Sequence, residues 1–346
     1  MTQVQTRRAG RWQRLCFFMA AGLALVVVGA TAPVPLGADP LAHTFSIVAR
    51  DPATGEMGVA VQSHWFAVGS IVTWAEAGVG VVATQASVDP GYGLRGLGLM
   101  RQGVAAPEAL RRLVADDPQR AGRQVAMLDA RGRVDAYTGP SAIAAAGHHV
   151  GQGYSTEANM MASDRVWPAM AKGFEEATGD LADRLLAALD AGQAAGGDVR
   201  GKQSAALLVV KAEGTGRPWV GADRVFDLRV DDDPEPIAEL HRLVRLQRAY
   251  GHANRGDELM AEQKVDQALV EYAAASALAP EILELPFWHA VTLASIGREA
   301  EAAPIFTAVF KEEPVWAELL TRLPAAGLFP DDAALIARIR ALAPRQ

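Results

Sequence analysis

The pairing of short apolar runs across turn sequences most constrains the fold of this chain. Each run is rich in Val, Ala, Ile or Thr and borders Gly, Pro or Asp, as strands joined by tight turns do. The first two runs flank the turn sequence DPATG at 51–55, and centring it on Ala53 places Thr44 opposite Gln62, to within one residue. Three β-hairpins are predicted: 44–50 with 57–63, 70–75 with 79–86, and 124–128 with 133–137.

Helical patterns lie between and after the predicted strands. Apolar residues recur with helical spacing from Leu110 to Val114 and again from Leu181 to Leu189. A glycine-rich loop at 196–201 leads into another strand-like run at 203–211. Paired strands, then helices, then a returning strand predict an α+β fold in which helices cover antiparallel sheets.

The first forty-two residues have the pattern of an export signal. A basic head with four arginines at 7–14 precedes a segment, 15–38, that carries no charge. This order is typical of a secretory signal peptide, with candidate cleavage points after Ala30, Ala38 and Ala42. The alternative is an uncleaved membrane anchor, which is disfavoured because prolines interrupt the apolar run early. We expect residues 1–42 to be a signal peptide and processing segment of a periplasmic or extracellular protein.

Charge and cysteine content exclude several classes of protein. The chain has 33 basic and 40 acidic residues, a net charge of −7, so the basic surface of a nucleic-acid-binding protein is not expected. With 50% hydrophobic and 21% charged residues, the composition is globular rather than disordered. The single cysteine, Cys16, excludes an internal disulfide and a zinc site with several thiolates. No metal or other cofactor is predicted, and membrane contact is expected only through an uncleaved signal segment.

The alanine-rich sequence after Pro234 contains an internal repeat. Its period of 34 residues, with small, aromatic and proline positions in this order, resembles the tetratricopeptide repeat. Two repeats would cover about 252–319, with Val315–Leu323 as a capping helix, and so few repeats are expected to pack on the first domain. An ordinary helical bundle is the alternative. The pairs that share the period are Leu259 with Leu293, Ala268 with Ala302, Tyr272 with Phe306, and Pro280 with Pro314.

Two motifs suggest ligand sites but have simpler explanations. Residues 91–96 match G-x-G-x-x-G, yet residues 87–90 separate the glycines from the preceding strand, so a loop and a helix start are favoured over a nucleotide site. His148 and His149 lie in a predicted loop, where solvent exposure is favoured over metal binding. His64 follows a strand end and is either catalytic or merely polar. The sequence contains neither H-E-x-x-H nor G-x-S-x-G.

Polar pairs interrupt or border three of the apolar strands. A strand buried on both faces rarely carries such groups unless something polar meets them. Hydrogen bonding to neighbouring loops is the simpler explanation for any one pair. The pairs are Gln62-Ser63, Thr84-Gln85 and Gln203-Ser204.

Several segments, in a fixed order over about 44–245, resemble a single bacterial family. They are TFSIVARD at 44–51, GEMGVAV at 55–61, GVVATQ at 80–85, RQ at 123–124, AGGD at 195–198 with RG at 200–201 and QSA at 203–205, and DLRVDD at 227–232. They resemble the domain of unknown function 1028 family, which is placed in the N-terminal nucleophile (Ntn) hydrolase superfamily. The resemblance implies a four-layer αββα sandwich that hydrolyses an amide bond with the first residue of the mature chain.

The resemblance makes Thr44 the candidate nucleophile, because the matching position usually starts the family's fold. As an N-terminal residue, Thr44 would supply its own base, since a free α-amino group has a pKa of about 8. His43 precedes it here, so exposing Thr44 requires further trimming, self-cleavage of the His43–Thr44 bond, or signal cleavage after a histidine. Without that cleavage Thr44 is an ordinary strand residue.

The other candidates would bind the substrate or its oxyanion through polar side chains or backbone amides. By hairpin register Gln62 and Ser63 are expected nearest to Thr44. Arg200 is expected to pair with a substrate carboxylate or with Asp198. The full set is Gln62, Ser63, Thr84, Gln85, Asn159, Asp198, Arg200 and Gln203.

Together these patterns predict an exported amidohydrolase that needs no cofactor and cleaves a small amide or peptide-like bond. Its Ntn-hydrolase-like domain would span 43–250, and a tetratricopeptide-like helical module would span 251–346. A protein partner of the repeats and a homo-oligomer both remain open. The alternative from another class is a non-catalytic extracytoplasmic binding or scaffold protein that uses the repeats for partner recognition.

Overall fold

The computed structural model of the chain describes residues 41–217 and 221–344. Within these ranges the strands form two sheets, and every strand pair is antiparallel. The strands are β1 (Leu41–Ala42), β2 (Thr44–Arg50), β3 (Met57–Ser63), β4 (Thr73–Glu76), β5 (Gly80–Ser87), β6 (Arg123–Asp129), β7 (Val134–Thr138), β8 (Gly147–Gly151), β9 (Tyr154–Ala158), β10 (Ser204–Val210) and β11 (Arg224–Val230).

The α-helices of the described ranges lie between the strands and after the last of them. They are α1 (Gly69–Val72), α2 (Gly91–Arg101), α3 (Ala106–Asp116), α4 (Val166–Glu176), α5 (Leu181–Ala194), α6 (Pro236–Ala261), α7 (Val265–Leu278), α8 (Glu284–Ser295), α9 (Glu299–Glu312), α10 (Val315–Leu320) and α11 (Ala333–Arg340). Short 3-10 turns lie at Arg120–Gly122, Gly221–Asp223 and Pro324–Ala326.

The sheet topology places β2 in the interior of the larger sheet. That sheet has six strands in the order β11-β10-β3-β2-β9-β8. The smaller sheet has the order β1-β5-β6-β7, with β4 also paired to β5. Because β2 is hydrogen-bonded to β3 on one side and β9 on the other, the backbone at Thr44 is held by both neighbours.

Alternation along the strands builds one apolar core between the two sheets and another on the outer face of each sheet. Val48, Val59 and Val81 belong to the core between the two sheets. Phe45 points the opposite way and packs with residues of α4 and α5, whereas Val82 of the smaller sheet packs with residues of α2 and α3. Helices therefore cover the outer face of each sheet, and the polar residues between the sheets are enclosed.

The structure confirms the three predicted hairpins as β2–β3, β4–β5 and β6–β7. Two local predictions were wrong. Residues 70–72, predicted as the start of a strand, lie in α1, which precedes the shorter β4. His148 and His149, predicted in a loop, lie in β8 at the edge of the larger sheet, where both are exposed. An edge strand tolerates such polar residues because only one of its sides is paired.

The glycine motif at 91–96 serves helix packing. Its residues lie within α2, not at a turn that leads directly from a strand. A Cβ atom on Gly93 would lie 2.2 Å from the Trp74 ring, and one on Gly96 would lie 2.8 Å from the methyl group of Met127. The glycines therefore let α2 approach the smaller sheet closely.

The described residues after β11 are helical. The long α6 begins against the larger sheet, where Ile237, Leu240 and Val244 join its outer core. Its later residues and the helices from α7 to α11 enclose two further clusters of apolar and aromatic side chains. The predicted domain boundary at 250/251 falls inside α6, which runs continuously through it.

The predicted signal peptide and processing segment, 1–42, lies almost wholly outside the described residues, which begin at Leu41. Among the helices of the described ranges, none is both long enough and apolar enough to span a bilayer.

Candidate active site

Thr44 lies at the first position of β2, fully buried, with its side chain between the two sheets. It is opposite Ser63 of β3, one residue from the predicted partner and within the predicted margin. The Thr44 hydroxyl donates to the carbonyl oxygen of Ala42 at 2.7 Å and lies 3.3 Å from the Ser63 hydroxyl oxygen. Two hydroxyl groups are thus placed side by side where β2 begins.

Two side chains converge on the carbonyl oxygen of His43, the residue that acylates the Thr44 nitrogen. The Ser63 hydroxyl donates to this oxygen at 2.7 Å, and Arg200 Nη2 donates to it at 2.7 Å from the other side of the site. Arg200 is oriented by Asp198, whose carboxylate accepts from its Nε at 3.0 Å and from its Nη2 at 2.7 Å. Asp198 is almost completely buried and also accepts from the backbone amide of His64.

Gln85 and Asn159 hold the carbonyl group of Thr44, and Gln124 holds both of these amide side chains. The backbone amide of Asn159 donates to this oxygen at 3.0 Å, and Gln85 Nε2 donates to it at 3.3 Å. Gln85 Nε2 and Asn159 Nδ2 also donate to Gln124 Oε1, at 2.8 and 2.9 Å. Gln124 Nε2 in turn donates to the carbonyl oxygen of Ala158 at 2.9 Å. The network fixes the orientation of each amide and, through it, the backbone of Thr44.

A buried carboxyl group, Glu157 of β9, completes the network. Burial raises the pKa of Glu157 to about 8, and hydrogen bonds from Ser46 and Ser155 only partly offset this rise. The Ser46 hydroxyl has one proton, yet its oxygen lies 2.7 Å from Gln85 Oε1 and 2.8 Å from Glu157 Oε1. A protonated Glu157 satisfies both contacts, because it donates to Ser46 while Ser46 donates to Gln85.

His43 is buried and neutral. Its Nδ1 lies 2.6 Å from Asn159 Oδ1, so Nδ1 carries the proton, because the amide oxygen can only accept. Its Nε2 is buried and has no hydrogen-bond partner among the described residues. Burial lowers the pKa of His43, and the charge of Arg200 lowers it further, against the opposing effects of Asn159 and Asp198.

Three predicted site residues point away from Thr44. Gln62 lies directly opposite Phe45, which packs on the outer helices, so the Gln62 side chain also faces those helices. The amide oxygen and nitrogen of Gln62 are buried and have no hydrogen-bond partner in the described ranges. Thr84 shares the face of Val82 and donates to the carbonyl oxygen of Asp89. Gln203 Nε2 donates to Asp232 at 3.1 Å. For Gln62 and Thr84 the cause is strand alternation, since neighbouring residues on a strand face opposite sides of the sheet; Gln203 precedes β10.

Four residues of the site were absent from the sequence-based set: His43, Ser46, Gln124 and Glu157. Gln124 and Glu157 were detectable only weakly, because alternating polar residues on a strand usually indicate a solvent-facing side. The motif Arg123-Gln124 contributes to the family resemblance, and the resemblance alone does not place Gln124 in the site. No group of three or more His, Cys, Asp or Glu residues within 41–217 and 221–344 is arranged to hold a metal ion.

The chain was compared with known families and structures. No curated protein matches it. The crystal structure of protein SPO2555 from Silicibacter pomeroyi, a member of the family DUF1028, is 33% identical and has a TM-score of 0.53; the match covers 59% of this chain and 85% of that one. The family model of DUF1028, described as a family of unknown function, matches residues 44–240, which begin at Thr44 and contain the polar network of the sheets except His43. The chain belongs to the DUF1028 family.

Proposed function

We propose that the protein is an exported Ntn-type amidohydrolase whose nucleophile, Thr44, is freed by cleavage of the His43–Thr44 bond. The substrate is a small amide or peptide-like compound. Two antiparallel sheets with helices on both outer faces are consistent with the αββα sandwich of Ntn hydrolases. We further propose that α6 to α10 include two tetratricopeptide-like repeats that bind a protein partner.

One observation carries the proposal: two donors are already aimed at the carbonyl oxygen that would become negative during cleavage. Ser63 and Arg200 each hold the His43 carbonyl oxygen at 2.7 Å, next to the Thr44 hydroxyl. Donors fixed where charge develops stabilise a tetrahedral intermediate, because they need no reorganisation during the reaction. A purely structural strand end would not require a guanidinium group at a backbone carbonyl that a neighbouring residue also binds.

Cleavage would proceed by an N-to-O acyl shift followed by hydrolysis. The Thr44 oxygen attacks the carbonyl carbon of His43, the carbon–nitrogen bond breaks, and the hydroxyl proton passes to the departing nitrogen. Water then hydrolyses the ester, which leaves a carboxylate on His43 and a free hydroxyl and amine on Thr44. Arg200 and Ser63 stabilise the oxyanion in both steps.

The same groups would then act on the substrate. A substrate carbonyl in the position of the departed His43 carbonyl would meet Ser63 and Arg200 as oxyanion donors. The α-amino group of Thr44, with a pKa of about 8 in the absence of perturbation, would accept the hydroxyl proton and later protonate the leaving amine. The amides of Gln85 and Asn159 would keep the Thr44 backbone in place.

Mass spectrometry of the mature N-terminus tests the proposal directly. The wild type and Thr44→Ser are expected to begin at residue 44, because both keep a hydroxyl and an amine. Thr44→Val is expected to keep the 43–44 bond and to lose amide hydrolysis. Thr73→Val is the control, because the Thr73 hydroxyl donates to the Gly69 carbonyl in another part of the fold.

Two outcomes would contradict parts of the proposal. Cleavage at 43–44 in Thr44→Val would show that another protease frees the residue, so only the hydrolysis assay would then test its role as nucleophile. An intact 43–44 bond in the wild type, with no turnover across an amide panel, would instead favour the non-catalytic scaffold.

A further inference from the structure

We propose that a cleft lined by Arg50, Arg131 and Arg184 is a second binding site, for a small polyanion with phosphate or carboxylate groups. The cleft has a volume of about 360 Å³ and lies at the end of β2 opposite Thr44. Thr44 and Arg50 are the first and last residues of β2, six steps apart along an extended strand, a distance of roughly 20 Å. The site is therefore separate from the proposed catalytic centre.

Among the described residues, the guanidinium groups in the cleft have no acidic partners. None of the three arginines forms an ion pair within the ranges that the structure describes, although most other arginines there do. Arg184 Nε makes one long contact, 3.4 Å, to the carbonyl oxygen of Phe174. Three unpaired cations in one cleft are unusual in a chain whose net charge is −7.

The strongest indication of a ligand is Arg50. Its side chain is partly buried, and its Nε is enclosed with no hydrogen-bond partner in the described structure. Buried donors are normally satisfied, so Arg50 lacks the internal acceptor that usually fixes a guanidinium group, and its terminal nitrogens remain to bind an acceptor in the cleft. Arg184 is held in position by stacking on Phe174, with its guanidinium carbon 4.1 Å from the ring centre.

The neighbouring carboxylates make their hydrogen bonds to groups other than the three arginines. Asp51 accepts from the backbone amides of Ala53 and Thr54 in its own turn. Asp129 is bound by Arg133, and Glu175 accepts from the Tyr154 hydroxyl. A bound anion would therefore meet three cations without displacing an internal ion pair.

The chemistry of the lining indicates the class of ligand. The planar fork of a guanidinium group matches the paired oxygens of carboxylates and phosphates. Gly132 and Gly153 also line the cleft and leave space at the backbone between the arginines. A ligand with two or more negative charges would best use three separate cations, so a monovalent ion is expected to bind much more weakly.

Calorimetric titration of the purified full chain tests the proposal, with pyrophosphate and citrate as probes and chloride at equal ionic strength as reference. At least one probe is expected to bind saturably at one site, and the stronger of the two distinguishes a phosphate from a carboxylate ligand. Arg50→Gln and Arg184→Gln are expected to weaken that binding at least tenfold. Arg131→Gln, an exposed change that leaves the fold intact, is expected to weaken it severalfold.

The controls separate this site from the catalytic proposal. Arg322→Gln, in the helical region, and Thr44→Val are both expected to bind the probe as the wild type does. Absence of saturable binding by either probe at millimolar concentration would overturn the proposal. So would binding that all three cleft variants retain. Loss of binding in Thr44→Val would also overturn it, because the anion would then occupy the site between the sheets.

Discussion

The sheet-containing part and the helical part of the molecule bury different kinds of side chain. Within the described residues, every buried polar or charged side chain lies between His43 and Asp223, whereas the buried side chains of 236–344 are apolar or aromatic. Burying polar groups is unfavourable unless each is hydrogen-bonded, so the sheet core must supply partners that the helical core does not need. The difference indicates that hydrogen bonding between polar groups constrains the interior of the sheets, while apolar packing constrains the helices.

The largest expected effect removes packing from the helical part and leaves the polar network intact. Phe306 is fully buried, stacks on Phe310 and meets Phe287 edge to face. Phe306→Ala is expected to lower the free energy of unfolding of the helical region by about 3–5 kcal/mol, because it leaves a cavity. Chemical denaturation followed by circular dichroism measures this, and cleavage at 43–44 should continue at the wild-type rate.

Val270→Ala is the matched control, since 69% of Val270 is exposed and its truncation should change stability little. If Phe306→Ala stopped cleavage while the sheets remained folded, the two parts would be coupled, and the contrast between them would not describe independent roles.

The second prediction removes one donor from the polar network. Ser63→Ala loses the hydroxyl that donates to the His43 carbonyl and lies beside Thr44. We expect the rate of 43–44 cleavage to fall by about 10²–10³-fold, the usual effect of deleting an oxyanion donor. Timed mass spectrometry of the uncleaved chain measures the rate. Ser70→Ala, which alters an exposed hydroxyl, should leave it unchanged, and an equal rate in Ser63→Ala would exclude Ser63 from this role.

The sequence predicted the strand pairs of the site more reliably than its side chains. The turn at 51–55 fixed the β2–β3 register to within one residue, but that margin decides which face a side chain occupies. Ser63, not Gln62, therefore lies beside Thr44. Glu157 could not be identified, because its role depends on the pairing of β2 with β9, strands more than a hundred residues apart.

The third prediction concerns how protonation of Glu157 makes the stability of the fold depend on pH. The folded pKa of about 8 lies above the unfolded value of 4.5, so the folded state holds a proton that the unfolded chain releases. The stabilisation is complete below pH 4.5 and is lost as the pH rises towards 8, by up to about 1.4 kcal/mol per pH unit. Glu157→Gln cannot ionise, so its stability relative to the wild type should increase across this window in denaturation curves.

Comparison of the two proteins at each pH isolates Glu157 from other groups that titrate nearby. His148 is the cross-strand neighbour of Glu157, and Asp135 acts on His148, but both remain in the variant. A stability difference that is constant from pH 5 to pH 8 would show that Glu157 is already ionised at neutral pH, and the hydrogen-bond arrangement through Ser46 would then be wrong.

The smallest expected effect concerns the turns of the helical part. Gln263 and Gly297 are 34 residues apart, both have positive φ values, 61° and 83°, and each is followed by a residue whose amide donates 2.9 Å back to the preceding helix. A non-glycine residue is strained in this conformation. Gln263→Gly is therefore expected to stabilise the protein by about 0.5–1 kcal/mol, and Gly297→Ala to destabilise it by about 1 kcal/mol. Opposite shifts in denaturation midpoint would support equivalent turns in two repeats, whereas shifts of the same sign would argue that the 34-residue period does not extend to the backbone.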